Sequence, residues 1–152
     1  MARYFLDTSV LLPRYIRARP ADDAVRQRVD RLEEFATLVV SADPPAVVSS
    51  LTILEARGVL ARMERSHPAV AVAKDMLDVD EAGFELWEPL SEDWARAMDL
   101  AGQHALRGAD ALQMAVFLRA KAKHADLFLA TSDHDLVEAC RKLGEPVHDP
   151  GA

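Results

Sequence analysis

One cysteine, Cys140, stands among 152 residues, so no internal disulfide can form and no Cys-rich zinc cluster can be built. Stability must come from packing. Positive charge is also in short supply: 18 Lys and Arg against 25 Asp and Glu leave a formal charge of −7. That sign excludes a module holding nucleic acid by bulk electrostatics. It does not exclude a nuclease whose carboxylates converge on divalent cations, because a bound metal reverses the field that a phosphate meets. A long apolar run is missing from the start, where Met-Ala-Arg-Tyr-Phe-Leu is broken by Asp7. Neither a signal-peptide core nor a membrane span fits there, and a cytoplasmic protein with no membrane partner is expected. Motifs are missing too: there is no Gly-x-Ser-x-Gly elbow, Walker-type loop, His-Glu-x-x-His or Gly-x-Gly-x-x-Gly.

What is present is a chain with 50% hydrophobic residues, enough for one domain with a two-sided core. We expect a single domain over 1–149 and a short tail over 150–152. The run Arg3 to Leu6 predicts a strand ended by Asp7-Thr8-Ser9, and a short helix follows over Val10 to Ile16. Asp22 and Asp23 start an amphipathic helix carrying Val25, Val29, Leu32, Phe35 and Ala36 at helical spacing. Pro44-Pro45 ends it, and Ala46 to Ser49 predicts a second buried strand. From Ser50 a third helix carries Leu51, Leu54, Val59 and Met63 as its apolar side, and another follows Pro68 and runs through Val72 to Leu77.

Phe84 to Glu88 alternates with period two, as a half-exposed strand does. A helix over Ser91 to Leu106 follows, with Ser91 as an imperfect capping-box residue. Ala109 to Lys123 is an Ala-rich helix with Asp110 in its first turn and Leu112, Ala115, Val116 and Leu118 on its apolar side. Asp126 to Thr131 predicts a buried strand, Ser132 to Asp135 opens a last helix ending near Gly144, and Pro146 to His148 adds an edge strand. Strands alternating with helices predict an α/β fold: a three-layer α/β/α sandwich around a mainly parallel sheet of about five strands.

Ligands of open α/β sheets bind beyond the carboxyl ends of the strands, where neighbouring connections diverge. Asp7 and Asp133 fall at that edge, Asp110 at a helix N-terminus, and Glu55 about one turn into the helix after the second strand. Four segments can thus converge. Carboxylates from several segments are what hard divalent cations require. A metal there lowers the pKa of a bound water and neutralises the phosphoryl oxygens, so no nucleophilic side chain is needed.

In order and spacing, Phe5-Leu6-Asp7-Thr8-Ser9, Leu54-Glu55, Arg107-Gly108-Ala109-Asp110-Ala111-Leu112-Gln113 and Thr131-Ser132-Asp133-His134-Asp135-Leu136 resemble a PIN domain. The likeness is greatest to the toxin subunit of VapBC-type toxin–antitoxin systems, and it spans nearly the whole chain. The resemblance implies a PIN-like fold and a Mg²⁺- or Mn²⁺-dependent endoribonuclease, inhibited by a small antitoxin and commonly a homodimer. It assigns Asp7, Glu55, Asp110 and Asp133 to the acidic quartet, with Asp135 as an extra acid. Thr8, Ser9 and Thr131 become polar residues that orient the ligands. Gln113 departs from the pattern, standing where many relatives have histidine.

Plainer explanations compete. An Asp after a strand is a common N-cap, and one in a first turn complements the helix dipole. Glu55 resists that account if it lies in an apolar stretch beside Leu54, where an unpaired carboxylate is costly, unless Arg57 or Arg62 pairs with it. Arg14, Arg17, Arg19, Arg57, Arg62 and Arg107 are candidates for RNA phosphate contacts, Arg107 foremost; the alternative for each is an ordinary salt bridge. Trp87 and Trp94 can stack on bases or anchor packing. The five histidines show no metal-ligand spacing, and Cys140 reads as a small buried hydrophobe. Val10, Leu11, Leu12, Tyr15 and Ile16 are either core or a groove for an antitoxin helix. Two rival functions remain: a metal-dependent phosphatase with Asp7 as nucleophile, which needs a second acid where Ser9 stands, and a catalytically inactive PIN-like interaction domain.

Overall fold

Five short strands alternate with helices in the computed structural model, which describes residues 2–16 and 20–152. In chain order they are β1 (Arg3–Leu6), α1 (Thr8–Leu11), α2 (Asp23–Val39), β2 (Val47–Ser49), α3 (Ser50–Glu64), α4 (Val70–Gly83), β3 (Glu85–Trp87), α5 (Ser91–His104), α6 (Gly108–Lys123), β4 (Leu127–Ala130), α7 (His134–Lys142) and β5 (Val147–His148). The sheet order is β3-β2-β1-β4-β5, with every pairing parallel. The expected α/β sandwich is the observed architecture.

Strand alternation divides the core in two. Phe5, Val47 and Leu129 point to one face and pack with Leu100, Leu112, Phe117 and Leu136 from α5, α6 and α7. Leu6, Val48 and Ala130 point to the other and pack with Val10, Leu32, Leu60 and Leu77 from α1 to α4. Phe5 meets Phe117 edge-on at a centroid distance of 5.6 Å, and full burial of such a side chain contributes roughly 1.5–3 kcal/mol. At the N-terminal edge, buried Arg3 ties β1 to β3 and to the segment leading into β2: its Nε donates to Pro45 O at 2.8 Å, and its guanidinium pairs with Glu85.

This topology has one reversal. From central β1 the chain moves outward through β2 to β3, then returns to lay β4 against the other side of β1. The connections leaving β1 and β4 therefore go to opposite faces, which opens a crevice beyond their carboxyl ends.

Several local expectations are corrected. The first helix begins at Thr8, capped by Asp7, and gives way to a 3-10 turn at Leu12–Arg14, because Pro13 has no N–H for an α-helical bond. Val10, Leu11 and Tyr15 are buried in the core, so they cannot line an antitoxin groove; Leu12 and Ile16 are half-buried. Arg17 and Arg19 lie outside the described residues. On α3 the buried stripe is Thr52, Ile53, Ala56 and Leu60, while Leu54 is 68% exposed. Two stripes with helical spacing overlap there, and the one with the smaller side chains faces the sheet. On α5 the cap is Leu90, whose N–H donates to Asp93 Oδ2 at 2.8 Å, and not Ser91. Helix α6 is buried on every side from Ala111 to Phe117, not along one stripe.

Candidate active site

Asp7 sits one residue beyond β1, and its N–H donates to Ala130 O of β4 at 3.0 Å, which locks it into the crevice. It is 6% exposed, yet its carboxylate is richly solvated by the protein. Oδ2 accepts from Ser9 Oγ at 2.7 Å, Thr131 Oγ1 at 2.9 Å and Ser9 N at 3.4 Å. Among the described residues Oδ1 accepts from Gln113 Nε2 alone, at 3.4 Å, which leaves it lone-pair capacity. Hydrogen bonds to the charged form are the condition for keeping a carboxylate in such a place.

The two loops of the crevice are stitched together by the same hydroxyls. Ser132 N donates to Ser9 Oγ at 3.0 Å, and Asp133 N donates to Thr131 Oγ1 at 3.1 Å. Arg28 of α2 adds a bond from Nη2 to Ser132 O at 3.0 Å. Asp133 caps α7 through Leu136 N, at 3.0 Å from Oδ1. Capping is thus real for both Asp7 and Asp133. It occupies one oxygen of each and leaves the other oxygen for different work.

Glu55 lies on the exposed side of α3, which overturns the expectation that it sits in an apolar stretch. Its Oε1 accepts from Thr8 Oγ1 at 3.0 Å. Partial burial of the carboxyl raises its pKa, the Thr8 bond opposes the rise, and the charge of Asp7 adds to it. Asp110, half-buried in the first turn of α6, is pushed up to about 6 by burial and by the charges of Asp133, Asp7 and Glu55, against the pull of Arg107. All four acids therefore act on one electrostatic locus. Asp135 is exposed in the first turn of α7.

Among the described residues, no three His, Cys, Asp or Glu side chains are gathered closely enough to hold a metal ion as they stand. The chemistry of the quartet nonetheless fits a hard divalent cation. Every donor is oxygen, no His or Cys joins the set, and neighbouring acid charge raises the pKa of Glu55 and of Asp110, a repulsion that a cation cancels.

Two expected phosphate contacts are engaged within the fold. Arg14 Nε pairs with Asp80 at 2.7 Å, and Arg57 pairs with Asp78 at 2.7 Å and with Glu81. Arg107, the exposed N-cap of α6 beside Asp110, keeps its place at the crevice. Trp87 lies under the guanidinium of Arg119, 4.7 Å from its ring centroid, whereas Trp94 is 56% exposed. Thr52, assigned no role from sequence, is fully buried beside the site: its Oγ1 donates to Leu6 O at 3.3 Å and accepts from Gln113 Nε2. A hydroxyl on the smaller-residue stripe of α3 was the one available sign.

A family model described as PIN domain matches residues 4–142. No curated protein matches the chain. Among solved structures it is similar to FitAcB from Neisseria gonorrhoeae, with a TM-score of 0.65 and 19% identity over 97% of each chain. It is also similar to a toxin-antitoxin complex from Klebsiella pneumoniae (TM-score 0.61, 16% identity, 97% of each chain). A third is DNA-bound VapBC from Salmonella typhimurium (TM-score 0.57, 16% identity, 99% of each chain). At these identities the likeness is one of fold.

Proposed function

The chain belongs to the PIN domain family, and from that premise we propose that it is a Mg²⁺- or Mn²⁺-dependent endoribonuclease acting as the toxin of a toxin–antitoxin pair. The observation that carries this reading is the convergence of Asp7, Glu55, Asp110 and Asp133, from four separate segments, on the crevice at the sheet's one reversal. Asp7, Glu55, Asp110 and Asp133 would hold the cation. When bound it supplies charge to neutralise a phosphodiester's oxygens and lowers the pKa of water for in-line attack.

The chain's own residues do the rest. Ser9 and Thr131 hold Asp7 Oδ2, and Thr8 holds Glu55. Arg107, at the crevice rim, contacts an RNA phosphate. The covalent phosphatase reading needs a second acid two residues after Asp7; Ser9 stands there and donates to Asp7 instead. RNA as substrate, a small antitoxin as partner and a homodimer as the working assembly belong to the same proposal. They are supported by the family resemblance and by two fold relatives, one described as a toxin-antitoxin complex and one as DNA-bound VapBC.

Expression of the chain in a bacterial host tests it. Growth arrest accompanied by new, discrete RNA ends, absent with Asp7→Asn and relieved by the adjacent small reading frame, is the expected result. Arrest that persists unchanged with Asp7→Asn contradicts the proposal.

A further inference from the structure

From Ala111 to Phe117 helix α6 is buried, and every residue of that stretch is apolar except Gln113, which is 1% exposed. Its amide is lopsided. Nε2 donates twice, to Thr52 Oγ1 and to Asp7 Oδ1 at 3.4 Å, while Oε1 has no partner among the described residues. The two neighbours dictate this orientation. Asp7 is an acceptor, and Thr52 spends its single proton on Leu6 O at 3.3 Å, so it too faces Gln113 as an acceptor. Turning the amide over would set its oxygen against both.

A buried amide with an unmet acceptor is costly, and an apolar residue of similar size would fill position 113 without that cost. The double donor is what the glutamine adds. We propose that Gln113 is a positioning residue for Asp7. Its Nε2, anchored through Thr52 to the backbone of β1, fixes the rotation of the Asp7 carboxylate by holding Oδ1 while Ser9 and Thr131 hold Oδ2. The loop closes on itself, since Leu6, whose carbonyl ends the relay, is the residue bonded to Asp7. The carboxylate is thereby set in place before any ligand arrives.

This inference rests on the proposed metal-dependent function for one of its two readouts, and the other is independent of it. The first readout is the side-chain carboxyl carbon-13 resonance of Asp7 in metal-free protein. Gln113→Met, of similar length but with no donor, is expected to move it, and Gln113→His, which restores a ring N–H, to bring it back toward the wild-type position. The second is Mn²⁺ affinity measured by electron paramagnetic resonance without RNA. Gln113→Met is expected to weaken it about 10–100-fold, as loss of a residue orienting a ligand does elsewhere, and Gln113→His to recover most of that. Thr52→Val keeps volume and removes the anchor, so it is expected to move the same resonance in the same direction. An Asp7 resonance that stays put in both Gln113→Met and Thr52→Val overturns the proposal, as does a moved resonance with unchanged Mn²⁺ affinity. If the wild type takes up no Mn²⁺, the proposed function fails while the resonance still decides the role of Gln113.

Discussion

Replacing Asp110 by Asn should stabilise the metal-free protein, and the gain should depend on pH in a definite direction. Burial and the charges of Asp133, Asp7 and Glu55 raise Asp110 from its ordinary 3.8 to about 6. Below pH 3.8 the group is protonated in both the folded and unfolded chain and costs nothing. Between those values the folded protein binds the proton more tightly, so stability falls as pH rises, and above 6 the full penalty is present. At 1.36 kcal/mol per pH unit the penalty is about 3 kcal/mol. Asp110 is only half-buried, and solvent screening reduces this to about 1–1.5 kcal/mol. For a domain of this size that is a rise in Tm of about 3–5 °C. Urea denaturation of wild type and Asp110→Asn in EDTA at pH 7.5 and pH 3.5 measures it. A gain at pH 7.5 that vanishes at pH 3.5 is expected. An equal gain at both, or none at pH 7.5, would show that burial and the neighbouring acids do not raise Asp110.

Other outcomes follow from the same structure. Asp93 is 1% exposed, accepts both Arg119 Nε and Leu90 N, and cannot be removed without orphaning them; Asp93→Ala should cost about 3 kcal/mol in urea denaturation, and a loss under about 1 kcal/mol would contradict the buried pairing. Burial, aided by Glu145, pushes the Cys140 thiol up to about 12, so a disulfide reagent at pH 8 should label it only as fast as the protein unfolds; prompt labelling of native protein would show an open site. Arg107→Ala should weaken RNA binding at low salt and reduce the salt slope by about 0.7, the value for one phosphate contact on a single strand; an unchanged slope removes Arg107 from the RNA path.

The parts of the fold legible in the sequence are those specified by neighbours along the chain. Strands β1 and β4 are short apolar runs each ended by polar residues, and those ends, at Asp7 and Thr131, meet in the crevice because the runs pair in parallel. What periodicity could not decide was the buried side of α3, where the stripe of Leu51 and Leu54 competes with that of Thr52, Ile53, Ala56 and Leu60. That error carried over to Glu55, which owes its place to Thr8 at the start of α1 and not to an apolar setting. Partners distant in sequence were equally invisible. Arg14 is held by Asp80, and Arg57 by Asp78 and Glu81, pairs set by the packing of α4 against its neighbours. Gln113 stood out in the sequence only as a departure from the family pattern, and its work depends on Asp7 and Thr52, which only the folded chain brings to it.

The proposed function places RNA hydrolysis, with a divalent cation, in one crevice organised around Asp7. The decisive experiment incubates purified, partner-free protein with structured RNA in EDTA, Mg²⁺ or Mn²⁺, beside folded Asp7→Asn. Cleavage is expected in Mg²⁺ or Mn²⁺, with none in EDTA and none with Asp7→Asn; cleavage in EDTA, or metal-dependent cleavage that survives the substitution, rules the proposed function out.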